Sequence, residues 1–238
     1  GGGADLLFPH HENEAAQTRC GTDHTIANYW MHNGFVNING EKMSKSLGNS
    51  FFLKDALKEY DGEVLRFYLL STHYRSNFNF NTEDLGVAKK RLDKIYRLQK
   101  RLFGLAQNTD TTSFQEEQLK ALSDDMNISS ALALIEEMIS SANETLDTAG
   151  KHKVLKKETI SNLAYIANIL GFGAKNPFEY FQFGVDTTTK ERLDSLIILR
   201  DLAKKEKDFD TSDKLRDEIL ALGVSLMDTP QGTFWEKI

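Results

Sequence analysis

The chain has 238 residues, is 40% hydrophobic and 27% charged, and carries a formal net charge of −6. This is the balance of an ordinary soluble globular protein with room for two or three small domains, and the net charge speaks on average against a polyanionic partner. The sequence holds no apolar run near the ~20 residues that cross a bilayer, no secretory signal pattern, and a single cysteine, Cys20, which excludes an internal disulfide; the expected compartment is the cytosol.

In chain order, Gly1-Gly2-Gly3 reads either as a purification scar or as the turn at the end of a strand in a domain that starts upstream. His11 to Cys20 lacks breakers and predicts a helix, and Thr25 to His32 a second one. Gly34 to Gly40 alternates apolar and polar residues between glycines, the pattern of a short strand and turn. Leu53–Tyr60 and Glu63–Thr72 predict two helices broken at Asp61-Gly62. After Thr82, Glu83 and Asp84 suit a first helical turn, and Leu85, Ala88, Leu92, Ile95, Leu98 and Leu102 keep helical spacing. Lys90, Lys94, Arg97 and Arg101 form a second stripe on the same helix, which is either a solvated face or a local polyanion surface. Residues 128–147 and 153–171 are also long and breaker-poor, so the region reads as a helical bundle ended by Gly171-Phe172-Gly173. Residues 174–188 look like a linker. A last unit follows, with helices over 189–206 and 211–222, then Gly223 to Met227 and a short tail.

Three features carry chemistry. Lys42-Met43-Ser44-Lys45-Ser46 follows a glycine turn. Its two ammonium groups and two hydroxyls suit the charge and acceptors of a triphosphate, or else form an exposed basic hairpin. His10 and Glu14 are four residues apart, which on a helix puts them on one face. That geometry suits two ligands of one metal, or a helix-start histidine beside a surface glutamate. Cys20 lies ten residues beyond His10 and six beyond Glu14, neither of which returns to that face at ~100° per residue. It is read as a small buried or half-buried hydrophobe. In the last unit, Phe209 sits in the charged stretch Lys205 to Asp210, either as a stacking platform for a base or as packing between the last two helices.

Several segments occur together in a specific order: Phe8-Pro9-His10-His11-Glu12-Asn13-Glu14, Tyr29-Trp30-Met31-His32-Asn33-Gly34, Gly40-Glu41-Lys42-Met43-Ser44-Lys45-Ser46-Leu47-Gly48-Asn49, Leu65-Arg66, His73-Tyr74-Arg75 and Asp228-Thr229-Pro230-Gln231-Gly232. On these the chain resembles the cysteinyl-tRNA synthetases, which are class I aminoacyl-tRNA synthetases, and corresponds to their C-terminal half. The family's His-x-Gly-His-type loop and its two upstream zinc-binding cysteines have no counterpart in these 238 residues.

The resemblance implies a mainly α fold with a small α/β part. Residues 1–80 would be the end of a Rossmann-type catalytic domain, 81–173 a tRNA-binding bundle, 174–188 a linker and 189–238 an anticodon-binding domain. It implies ATP-dependent ligation of L-cysteine to its tRNA through cysteinyl-adenylate, by a cytosolic, monomeric protein. ATP, with Mg2+, would meet Lys42, Ser44, Lys45 and Ser46. Gly2, Gly3 and Asp5 resemble the nucleotide-contacting strand end, where the alternative is a turn with a surface aspartate. The resemblance assigns Zn2+ to His10 and Glu14, with two further ligands upstream, and lets His11 line the substrate pocket. It assigns tRNA contacts to Phe209, Asp213 and Asp228, with Lys204 and Trp235 as weaker candidates and Arg200, Lys204, Lys205 and Lys207 on phosphates. Two other readings stand beside it: an inactive tRNA-binding portion, and a related ligase joining cysteine to an amino sugar. The complete last unit argues against the amino-sugar reading, since such a ligase needs no anticodon reader.

Overall fold

The computed structural model describes residues 1–38, 41–42, 53–106, 110–229 and 232–238. The described part is mostly helical, with small sheets of two, three and two strands.

The chain opens with β1 (Gly2–Gly3), a 3-10 turn (Ala4–Leu6), a π-helical turn (Leu7–His11) and helix α1 (Glu12–Thr22). Helix α1 buries none of its residues, because its composition offers no apolar stripe. Cys20 on it is exposed, not the buried hydrophobe expected. Residues 25–31, expected to be helical, are irregular and lead into β2 (His32–Asn33), which pairs in parallel with β1. Here tertiary pairing overrides local propensity. Trp30 stacks on His32, with the two rings 2° from coplanar and 6.1 Å apart.

Next come β3 (Val36–Ile38), β4 (Glu41–Lys42), α2 (Leu53–Glu59), α3 (Gly62–Leu70) and β5 (Phe78–Phe80). Strand β3 is central, antiparallel to β4 and parallel to β5. The expected break at Asp61-Gly62 is an N-cap: the Asp61 carboxylate accepts from the Glu63 amide at 2.9 Å.

Helix α4 (Thr82–Arg101) starts one residue earlier than the acidic first turn suggested, because Asn81 caps it and accepts from the Asp84 amide at 2.7 Å. Leu85, Ala88, Leu92, Ile95, Leu98 and Leu102 are each at most 4% exposed. They form the spine of a core shared with α3, α6 (Ile128–Leu146) and α7 (Lys153–Leu170). A further helix, α5 (Ser113–Ser123), precedes α6 and was not evident from spacing. Gly171 ends α7 in the left-handed region, at φ 73°.

Residues 174–188, read as a linker, contain helix α8 (Pro177–Tyr180) with Pro177, Phe178 and Tyr180 buried. Phe178 stacks on Phe234 at 3.7 Å and Tyr180 on Tyr96 at 3.8 Å, so this segment packs against its neighbours on both sides. The last unit has α9 (Thr187–Lys205), α10 (Phe209–Ala221) and the antiparallel hairpin β6 (Val224–Thr229) and β7 (Gly232–Lys237). Leu193, Leu196, Ile219, Val224 and Trp235 form its own core. Lys100 of α4 reaches it: the buried ammonium lies 2.6 Å from Glu236 and over the Phe181 ring at 4.8 Å.

A partly buried polar network joins α3 to α4. The Glu63 carboxylate accepts from the Tyr96 hydroxyl at 2.5 Å and from the Gly173 amide at 2.8 Å. The Lys175 amide donates to the Tyr96 oxygen at 3.2 Å, and its ammonium pairs with Asp61. Burial, and then Glu63, push the Tyr96 hydroxyl far above its ordinary pKa, so it remains a donor. Among the described residues no helix is long and apolar enough to cross a membrane.

Leu92→Ala is expected to lower unfolding free energy by about 2–5 kcal/mol, because the site is fully packed. Lys90→Ala, on the exposed side of the same helix, should stay within about 0.5 kcal/mol. Urea denaturation of both variants checks this.

Candidate functional site

At the start of the chain the backbone itself is the feature. A Cβ on Gly2 would lie 2.8 Å from His11 Cε1, and one on Gly3 would lie 2.5 Å from an Asp5 carboxylate oxygen. Only glycine fits both positions without displacing those side chains. The Gly2 amide donates to the Met31 carbonyl at 3.0 Å, which seats β1 against β2. Asp5 is exposed in the 3-10 turn that follows.

His10 and Glu14 are both exposed, four residues apart across the junction of the π-helical turn and α1. An imidazole and a carboxylate are ordinary zinc donors, but two are half of a tetrahedral set. Among the described residues no group of three or more His, Cys, Asp or Glu side chains is placed to hold a metal. His11 turns elsewhere. Its Nδ1 lies 2.8 Å from His32 Nε2, and both rings pack with Trp30. That bond needs one of the two facing nitrogens to accept, so it fixes the ring orientations together. His32 went unassigned in the sequence. Its signal was the Tyr29-to-Gly34 segment, which carries resemblance but no spacing that marks a pair 21 residues apart.

Lys42 ends β4, whose backbone pairs with Asn37 of β3. The rest of the phosphate signature, Met43, Ser44, Lys45 and Ser46, lies outside the described residues.

In the last unit Phe209 opens α10 with its ring 65% exposed, which removes the alternative of packing between helices. Asp213, also exposed, lies one turn along α10 on the same side. Asp208 caps this helix, accepting from the Thr211 amide at 3.1 Å. Trp235 is buried in the unit's core, so it is not available as a stacking surface.

Asp228 is fully engaged. Its Oδ1 accepts from Arg200 Nη1 at 3.0 Å and the Thr233 hydroxyl at 2.8 Å, and its Oδ2 from Arg200 Nη2 at 3.0 Å and Lys204 Nζ at 2.7 Å. Four donors fill the four lone-pair sites of a carboxylate. Arg200, expected on a phosphate, is 4% exposed and serves this pair instead. Lys204 is the partner at the surface, and Lys205 and Lys207 are exposed.

Arg200 above all holds the Asp228 carboxyl well below the usual carboxylate range, against the opposing effect of burial. With a depressed folded pKa, the pair's contribution is complete above the unfolded value near pH 4 and is lost as pH falls through the lower folded value. Asp228→Asn should therefore be less stable than wild type at pH 7 by about 1 kcal/mol, since it removes the anion that Arg200 and Lys204 donate to, at a carboxylate that is half exposed. Thermal melts should show that difference constant from pH 7 to about 5 and shrinking below about 4.

Against known proteins, residues 1–90 match the family described as tRNA synthetases class I (C) catalytic domain, and residues 119–175 match the DALR domain. The LeuRS of Agrobacterium radiobacter K84, solved as a ternary complex with tRNA and LeuAMS, shares the fold: its TM-score is 0.59 at 18% identity, over 75% of this chain and 27% of that one. Residues 1–90 are thus similar to a class I tRNA synthetase catalytic domain and residues 119–175 to a DALR domain. Its relatives are more particular. Over all 238 residues it is 76% identical to the cysteine–tRNA ligase of Sulfurimonas denitrificans, and over 237 residues 62% identical to that of Aliarcobacter butzleri and 58% to that of Helicobacter pylori strain P12. It covers 51% of each, so the chain spans about half the length of the curated relatives it matches. The resemblance to the cysteinyl-tRNA synthetases, and the mainly helical fold it implied, are borne out.

Proposed function

We propose that this chain is the part of a cysteine–tRNA ligase that contacts ATP phosphates and grips tRNA. The observation that carries this reading is similarity along the full chain, 76% identity over 238 residues, to a protein of that name. The reaction has two steps. Cysteine's carboxylate attacks the α-phosphorus of ATP, forming cysteinyl-adenylate and releasing pyrophosphate. A terminal ribose hydroxyl of tRNA then attacks the acyl carbon and releases AMP.

The chain's part in the first step is positioning and charge stabilisation, with no side-chain nucleophile. Lys42 and Lys45 neutralise charge on the departing pyrophosphate, with Mg2+ accompanying ATP, and Ser44 and Ser46 donate to phosphate oxygens. The glycine backbone at Gly2 and Gly3 suits close approach of adenosine, and Asp5 suits the ribose hydroxyls. His10 and Glu14 supply two donors for a zinc ion. The chemistry zinc supplies when bound is preference for cysteine's sulfur over serine's hydroxyl.

For tRNA, the exposed Phe209 ring offers a stacking platform, with Asp213 beside it as an acceptor for a base edge. Lys204 and Asp228 are a rim pair that a base edge engages by exchanging the Lys204 bond. Exposed Lys90 and Lys94 on the bundle, and Lys205 and Lys207 on the last unit, suit phosphates. The protein acts as a cytosolic monomer. By itself this chain is expected to bind tRNA without activating cysteine, because it spans about half of its relatives and brings two of the metal's donors.

Three measurements test this. In the full-length protein, Lys45→Ala should lower cysteine-dependent ATP–pyrophosphate exchange by about a hundredfold and leave tRNA affinity within about twofold; loss of both together would refute the phosphate role. Exchange should respond to cysteine and not to serine, and should fall when zinc is chelated. Phe209→Ala should weaken tRNA binding by about tenfold with an unchanged melting temperature, since an exposed ring contributes little to the fold.

A further inference from the structure

We propose that Asp125, in the turn between α5 and α6, is a positioning residue for transfer to tRNA: it is the clamp that fixes the α5–α6 end of the helical bundle on residues 73–75 of the catalytic segment, residues 1–80. This rests on the ligase reading above.

Three consecutive residues of the catalytic segment reach Asp125 across 50 or more positions of sequence. His73 Nε2 lies 2.9 Å from the Asp125 carbonyl oxygen, and the Tyr74 hydroxyl donates to Oδ1 at 2.6 Å. Arg75 donates to Oδ2 through Nε at 2.7 Å and to Oδ1 through Nη2 at 3.0 Å. Arg75 and Tyr74 hold the Asp125 carboxyl down to about 2, so it stays an anion at neutral pH. The Arg75 and Asp125 side chains are 58% and 47% exposed, so the pair adds little to stability. Donors from three directions on one exposed residue instead define its position and orientation.

Both sides of the clamp are rigidly mounted. On the catalytic side, the Gly34 amide donates to the Tyr74 carbonyl at 2.7 Å, and the Phe35 amide donates to Asn77 Oδ1 at 2.9 Å, just before β3 and β5 pair. On the bundle side, Asp125 and Met126 both have left-handed backbones, at φ 49° and 56°. Two consecutive non-glycine residues in that region are strained by about 1–2 kcal/mol each. The turn keeps that shape while its carboxylate faces His73, Tyr74 and Arg75.

The same two parts also share the apolar core of α3 and α4, and a polar contact lies beside it. It is the Glu63–Tyr96 network, with Arg66 Nε donating to the Leu170 carbonyl at 2.5 Å. Between the two contacts lies a cavity of about 570 Å3, lined by Gly34, Arg66, Tyr74, Met126 and Ile169 among others. Beside that cavity the side-chain contacts to Asp125, rather than the α3–α4 core, hold the α5–α6 turn to residues 73–75. Amino-acid activation needs no tRNA. Transfer also needs the end of a tRNA held by the bundle and last unit to arrive at the adenylate, so orientation matters to it.

The test uses the full-length protein with Asp125→Asn, Arg75→Gln and the double variant. Cysteine-dependent exchange should stay within about twofold of wild type. The kcat of tRNA charging should fall about tenfold with KM for tRNA within about twofold, which is the scale expected for sub-ångström misplacement. The double variant should lose no more than either single one, because both break one clamp. Unchanged charging overturns the proposal. So does a rise in KM at constant kcat, which would make Asp125 a tRNA contact, and so does a parallel fall of exchange and charging, which would make it a folding residue. Wild-type protein without cysteine-dependent exchange overturns the ligase reading, and this proposal with it.

Discussion

The carboxylate of Glu63 sits half-buried where α3 meets α4, and three parts of the chain meet on it. A carboxylate partly withdrawn from water loses hydration, which donors have to replace. One is the Tyr96 hydroxyl and the other is the Gly173 amide, which becomes available because Gly171 ends α7 in a left-handed turn and folds the chain back. The same turn brings the Lys175 ammonium to Asp61, the cap of α3. A single acidic side chain thereby ties together α3, the spine of the bundle and the stretch of chain that leaves it. Tyr96 then carries the order outward by stacking on Tyr180, whose neighbours Phe178 and Phe181 receive Lys100 and the hairpin of the last unit.

This continuity explains why residues 174–188 behave as packed structure. Their sequence shows Asn176-Pro177 and a run of threonines, the composition of a connector. The aromatics Phe178, Tyr180 and Phe181 are what the spacing hid, since four residues of helix are too few to display a period. By contrast α4 was legible, because twenty residues repeat one apolar stripe and every member of that stripe is buried. The 25–31 segment misled for the opposite reason. Its lack of breakers allowed a helix, and only the pairing of His32 with Gly2, thirty positions away, decides against it. Cys20 misled because a helix without an apolar face has nowhere to bury a thiol.

Among candidate residues, the aromatic and acidic positions of α10 were readable as a local pattern, whereas the state of Asp228 was not. Whether a carboxylate is free or saturated depends on what the fold delivers to it, here Arg200 and Lys204 from α9 and Thr233 from the facing strand. Arg200 shows the same limit from the cationic side: a basic residue in a basic stretch reads as surface, yet it is spent inside the unit on holding β6 to α9. The last unit consequently has an interior electrostatic anchor and a separate outer face bearing Phe209 and Asp213.

Gly34 has a consequence of a different kind. A Cβ there would sit 2.2 Å from the Ser76 carbonyl oxygen, so two stretches of main chain meet with no side chain between them. Its amide is closed off by the Tyr74 carbonyl at 2.7 Å. That proton can trade with solvent only when the two stretches part. In a deuterium-labelling spectrum it is a built-in gauge of how often this junction breathes, read at a residue that has no side chain to perturb.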